Sequence, residues 1–254
     1  MTLFSRRWIL TTLLAIAAVG VLIRLGIWQL DRLAERRAFN ARVIAQIKAE
    51  PLALDGSTLD ADLLDMEYRA VIVTGQYDFS QQVVLRNQVW TNQPGVHLLT
   101  PLVISGTNKA VLVDRGWIPQ EDATPDKRSR YDEPGTITVR GVLRRPQARP
   151  DFGGVPDPLL APGQTRLDAW NIVNVERISQ QVNVPMLAVY IQQAPDTERT
   201  APPYPSEPKL DLSEGSHFSY ALQWFTFAAI LAIGYPVYVN RHAQQSNVKR
   251  PPVA

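Results

Sequence analysis

The chain has 254 residues, enough for one moderate domain beside membrane segments. A net charge of +2 is too small to point to nucleic acid, and 20% charged residues with a mean hydropathy of −0.12 assign most of the length to a water-soluble domain. The absence of cysteine excludes disulfide staples, thiolate copper sites, iron–sulfur clusters and cysteine nucleophiles.

Trp8 to Ile23 carries no charge, and after Arg24 the apolar character resumes to Leu30. Residues 8–30 are long enough to cross a bilayer as a helix. Ala15-Ile16-Ala17 has the small-x-small form of a signal cleavage site but lies in mid-run, which predicts an uncleaved anchor. No Arg/Ser-rich transit segment precedes it, so the expectation is a bacterial inner-membrane protein. Arg24 falls near the outer end of the span, where a long side chain snorkels to headgroups. Residues 31–49 predict an amphipathic helix with a solvated charged face, ended by Pro51.

From Glu67 the pattern turns to strands: 67–75, 82–86, 97–104, 109–115, 136–144 and 187–192. Ser105-Gly-Thr-Asn108 reads as a turn that makes 97–104 and 109–115 a hairpin. Trp170 to Asn174 and a short helix near 175–182 complete the domain. Short strands, few helices and intervening turn residues predict an antiparallel sheet or small barrel. Arg115-Gly-Trp-Ile-Pro119 reads as a structural turn. His97, within a strand, reads as a packing or hydrogen-bonded residue.

His217 opens a second uncharged run, to Asn240. At helical spacing His217, Tyr220, Ala221, Trp224, Ala228, Leu231 and Tyr235 share one face. Such a polar-aromatic stripe suits a flat aromatic cofactor or plain interfacial anchoring. Gln29 and Gln223, near the ends of the two spans, are placed to hydrogen-bond across a helix pair. Arg241, Lys249 and Arg250 follow the second span, and Glu207, Lys209, Asp211 and Glu214 precede it. The positive-inside bias puts both termini in the cytoplasm and the central residues outside. The expected organisation is an α+β membrane protein. It has spans at 8–30 and 217–240, an extracytoplasmic β-rich domain at 31–216 with one or two short helices, and a cytoplasmic tail at 241–254. No catalytic triad order, phosphate-binding glycine loop or multi-histidine spacing is present, so no enzyme is expected. His242 fits no site.

Several stretches together carry a resemblance. They are Leu25-Gly-Ile-Trp-Gln-Leu-Asp-Arg-Leu33, Tyr68-Arg69, Gly75, Leu85-Arg-Asn87, Thr100-Pro101, Val113-Asp-Arg-Gly-Trp-Ile-Pro119, Gly141 and His217-Phe-Ser-Tyr-Ala-Leu-Gln-Trp224. In this order the chain resembles the surfeit-locus family of cytochrome c oxidase assembly factors, in its bacterial form. Asp114 stands where the family often has asparagine, and no acid follows Trp170 before Glu176. The resemblance implies two spans around an extracytoplasmic domain and a role in assembling aa3-type oxidase. It also implies haem a held by His217 as iron ligand and passed to oxidase subunit I. Tyr220, Trp224 and Trp28 would pack on the porphyrin, and Arg24 or Arg32 would pair with its propionates. Haem a synthase and the bilayer are further expected partners; nucleic acid is not. The alternative is a scaffold that binds an oxidase intermediate and no haem.

Overall fold

The structure, a computed structural model, describes residues 2–59 and 61–248. Lys249 and Arg250, which carry part of the topology expectation, lie outside the described residues. The chain divides into two compact units: residues up to Arg42 with those from Asp211 onward, and Val43–Leu210.

Helix α1 runs unbroken from Ile9 to Lys48. The expected anchor and the amphipathic segment after it form one helix. Gln29-Leu-Asp-Arg-Leu33 contains no breaker, so nothing ends the helix before Pro51. Lys48 in its last turn complements the helix dipole. Helix α4, His217–Val248, is the second long helix and holds Pro236 internally. Both α1 and the part of α4 from His217 to Gln244 are long and apolar enough to cross a membrane.

Between them lie β1 (Leu52–Ala53), β2 (Ala70–Tyr77), β3 (Val83–Trp90), β4 (Gln93–Ile104), β5 (Ala110–Pro119), β6 (Thr136–Arg144), β7 (Ala169–Trp170) and β8 (Met186–Gln193). Two short helices, α2 (Pro125–Arg128) and α3 (Val175–Ser179), interrupt them. The sheet order is β1-β2-β6-β8-β5-β4-β3-β7, and β2 also pairs with β4. That extra pairing closes β2-β6-β8-β5-β4 into a five-stranded barrel. The sheet is mixed rather than purely antiparallel, because β1–β2, β3–β7 and β5–β8 run parallel. The β5–β8 pair joins strands separated by α2, β6, β7 and α3, and so long a connection permits a parallel return. Trp170 to Asn174 is strand only at its start, Ala169–Trp170.

The barrel interior is filled by Val71, Val73, Leu102, Ile104, Val111, Val113, Val139, Leu143, Val189 and Ile191. Outside it, Trp170, Val173, Val175 and Ile178 cover Val83, Leu99 and Leu112. Strands β4 and β5 are thus buried on both faces, which is why they read as continuous apolar runs instead of alternating ones.

Arg115 to Pro119 is not a turn. It continues β5 through a bulge: Leu98 faces Gly116 and Leu99 faces Asp114, leaving Arg115 as the extra residue. Gly116 has φ +106°, and a Cβ there would sit 2.4 Å from the Tyr204 backbone. Trp117 and Tyr204 exchange backbone hydrogen bonds of 2.9 Å at this point and stack their rings. A glycine inside a strand and a proline at its end mimic turn chemistry in sequence.

His97 is hydrogen-bonded within a strand, as expected. Its Nδ1 lies 3.0 Å from Asp114 Oδ2, both side chains are buried, and Asp114 Oδ1 accepts from the Gly116 N–H. Burial alone would lower the His97 pKa. The Asp114 charge and hydrogen bond outweigh it and hold the pKa above the ordinary 6.5. A raised folded-state value means the pair's contribution is complete below the unfolded pKa and is lost as pH rises through the folded one. The melting temperature should therefore fall as pH rises from the ordinary imidazole value of about 6.5 through the raised folded-state one, and His97→Gln should flatten that slope. Equal slopes in both proteins would refute the assignment.

Candidate functional site

The unit formed by α1 up to Arg42 and α4 is an antiparallel helix hairpin. Thr12, Ala15, Val19, Leu22, Gly26, Gln29, Leu33, Arg36 and Asn40 are buried or half-buried positions of α1 that follow one another at alternating steps of three and four. His217, Ala221, Trp224, Ala228, Leu231, Tyr235 and Val239 are their counterparts on α4. The helices come close at Gly26, where a Cβ would lie 2.6 Å from the Phe225 ring.

Polar contacts fasten both ends. At one end the Tyr235 hydroxyl lies 2.8 Å from the hydroxyls of Thr11 and Thr12, and the rings of Trp8 and Tyr238 meet edge to face. At the other, His217 Nδ1 lies 2.8 Å from Gln29 Oε1. Beyond that pair, Arg37 grips Glu214 through two hydrogen bonds of 2.8 Å. Arg36 donates to the Asp211 and Ser213 carbonyls, and Asn40 to the Leu212 carbonyl. The hydrogen bond from Arg37 holds the Glu214 carboxyl below the usual range. These three α1 side chains secure the lead-in to α4. Their sequence signal was the pairing of Arg36-Arg37 with Asp211 and Glu214, two clusters of opposite sign.

In the tautomer that carries its proton on Nδ1, His217 donates to Gln29 Oε1 and Nε2 keeps the lone pair. Nε2 makes no hydrogen bond among the described residues. Trp224 is half-buried on the seam, its ring edge-on to Phe227 at 6.3 Å. Tyr220 and Trp28 are off the seam, 48% and 45% exposed. Arg24, Trp28 and Arg32 follow one another at steps of four along an exposed stripe of α1. Arg24 and Arg32 are exposed, and Arg32 pairs with Glu35. Rotation at about 100° per residue sets Tyr220 about 60° from His217, and Arg32 and Trp28 about 60° and 100° from Gln29. In an antiparallel pair these offsets fall on the same side, so one flank carries Trp28, Arg32 and Tyr220 beside His217. Arg24 is turned farther from the seam than these. Gln223 is exposed on α4, and His242 stacks on Tyr238 near its far end. Among the described residues, no group of three or more His, Asp or Glu side chains could hold a metal ion.

Residues 16–229, which include this end of the hairpin and the whole barrel, match the SURF1 family. The chain belongs to the SURF1 family. It is 27% identical over 241 residues to the SURF1-like protein of Monosiga brevicollis, covering 90% of this chain and 87% of that one. It is 24% identical over 221 residues to Surfeit locus protein 1 of Mus musculus, covering 81% and 68%. A 107-residue stretch is 32% identical to the cytochrome oxidase assembly protein SHY1 of Saccharomyces cerevisiae, covering 42% and 28%. The stretches that carried the resemblance to the SURF1 family occupy structurally coupled places. Leu25–Leu33 and His217–Trp224 face each other in the hairpin, and Val113–Pro119 is the bulged half of β5.

The close approach at Gly26 is testable. Gly26→Leu should overpack the seam at a cost of about 1–3 kcal/mol. Hydrogen exchange of the α4 amides, read by mass spectrometry, should then accelerate by about tenfold or more. Adding Phe225→Ala should restore much of the protection, and unchanged exchange in Gly26→Leu would disprove the contact.

Proposed function

We propose that this protein is a membrane-anchored assembly factor for aa3-type cytochrome c oxidase, which binds haem a at His217 and assists its insertion into subunit I. Membership of the SURF1 family supports the assembly role, as does similarity to a relative named for cytochrome oxidase assembly. The haem reading rests on one observation, the 2.8 Å contact between His217 Nδ1 and Gln29 Oε1. A histidine that ligates iron usually donates its other ring N–H to an oxygen, which fixes the tautomer and raises ligand basicity. Gln29 supplies that oxygen, and the Nε2 lone pair is left for iron.

The residues present fit such a group. His217 would provide a ring nitrogen to hold the iron. Trp28 and Tyr220 stand on the flank beside it, and Trp224 lies about 10 Å deeper along α4 at helical rise. Arg32, on the same flank, would meet a propionate in exchange for Glu35, and Arg24 is one turn short of Trp28 on the same stripe. When bound, haem a supplies an iron with a vacant coordination position for imidazole. The chain itself supplies orientation and an apolar wall, with no catalytic step. Haem a synthase is a natural donor partner in this reading.

In the same reading both helices cross the bacterial inner membrane, both termini are cytoplasmic and the barrel is extracytoplasmic. A reporter that works only outside the cytoplasm should be active when fused at Gly106 and inactive at Ala254. The reverse pattern would overturn the topology.

The haem assignment is tested by the absorbance spectrum of protein purified from cells that make haem a. His217→Ala should abolish haem occupancy while the protein still inserts and folds. Gln29→Ala should weaken affinity about 10–100-fold, and Trp224→Phe should do less than His217→Ala. A wild-type spectrum in His217→Ala protein would leave the oxidase scaffold without haem as the better account.

A further inference from the structure

Residues 145–168 join β6 to β7 without helix or strand. A connection of this length inside a small domain calls for a role of its own. Its middle inverts the usual polarity of a surface loop. Phe152 is fully exposed, Leu159 is 87% exposed, and Val155 and Leu160 are exposed beside them. Asp157, the sole charge between Phe152 and Pro162, points inward instead and is only 8% exposed. Its Oδ1 accepts from the Asn171 N–H at 2.6 Å, and Oδ2 is buried without a partner.

The loop's polar backbone is likewise turned inward. Asn171 Nδ2 donates to the Pro156 carbonyl at 3.0 Å, and Arg177 donates to the Pro158 carbonyl at 2.8 Å. Pro156, Pro158 and Pro162 have no amide N–H to satisfy. The loop therefore shows apolar side chains outward while its charge and key carbonyls are taken up by the domain. An aqueous surface does not reward that arrangement, but a hydrocarbon phase requires it, since unsatisfied backbone groups are costly there. Arg145 bonds the Leu64 carbonyl and Asp65, and the Asp65 carbonyl accepts from Gln46, so the loop's stem is fixed beside the last turns of α1. Arg149, exposed just before the apolar stretch, matches the phosphate of a headgroup.

We propose that the loop around Phe152 and Leu159 is a bilayer contact, which dips its apolar tip into the membrane that holds the two helices. The proposal rests on the reading of those helices as spans. Its occupant is the lipid surface, because from Phe152 to Leu160 every exposed side chain is apolar, with the exposed charges of Arg149 and Asp151 confined to the margin.

The natural absence of cysteine allows a clean test on the full chain. Phe152→Cys, Leu159→Cys and, as control, Gly106→Cys are each labelled with an environment-sensitive fluorophore. The proteins are reconstituted into phosphatidylcholine vesicles containing some phosphatidylglycerol. Labels at 152 and 159 should shift to shorter wavelength and be quenched by lipids brominated in the acyl chain, while the label at 106 should do neither. If the vesicles float without the protein, the membrane reading fails and the loop proposal fails with it. If the protein floats but the label at 159 remains as water-exposed as that at 106, the loop proposal alone is overturned. It is overturned equally if the labels at 152 and 159 respond only when solubilised oxidase is added, for the tip would then be a protein-docking surface.

Discussion

Arg115 is a buried cation in the middle of the barrel's central strand, and the domain is arranged to tolerate it. Only 1% of its side chain is exposed. Removing a guanidinium from water costs several kcal/mol, so it stays only if nearly every donor is satisfied. The Gln82 amide oxygen, the Tyr131 carbonyl and the Glu133 carboxylate accept from it, and the rings of Tyr77 and Phe79 cover its faces. Those partners come from two separate stretches of chain, 77–82 and 131–133. The end of β2, the turn after it, the start of the segment into β3 and the loop after α2 are therefore set by one side chain. Lysine could not take the place, since a single ammonium cannot reach the same fork of acceptors or stack between two rings.

The bulge makes this possible. Because Arg115 is the unpaired residue, its side chain is re-aimed while its neighbours keep their pairing. Asp114 then braces the bulge from within, bonding both His97 and the Gly116 N–H. An asparagine here could serve the same two bonds only in one orientation of its amide, whereas a carboxylate accepts both and adds charge to the one with His97. Four consecutive residues thus do four different jobs, with Trp117 receiving the strand-like segment at Tyr204. The bulge is what separates them.

Much of the fold was readable in the sequence, and the limits have physical causes. Hydrophobic runs bounded by turn residues located β2, β4, β5, β6 and β8, since burial is written in local composition. Which strands pair is not local. The β5–β8 and β2–β4 pairings, which give the barrel its mixed sheet and its closure, join distant residues and leave no periodic trace. The bulge was misread because glycine and proline serve bulges and strand ends as well as turns. In the hairpin, a period of 3.6 placed His217, Ala221, Trp224 and Ala228 on one face, and they do line the seam. Tyr220 is one step outside it. The bond between His217 and Gln29 spans 188 positions, and Arg36, Arg37 and Asn40 act on segments equally remote.

That bond also distinguishes His217 from a histidine that only anchors a helix end, a difference the sequence does not show. A histidine that only anchors a helix end needs water or headgroups and tolerates either tautomer. Here the ring is tied to an acceptor on the other helix, directly above the tight Gly26–Phe225 contact and directly below the Arg37–Glu214 clasp. Sliding α1 by one residue against α4 would break all three at once, so the register of the hairpin and the orientation of the His217 ring are set together. The imidazole is consequently held at the level where Trp28, Arg32 and Tyr220 share a flank.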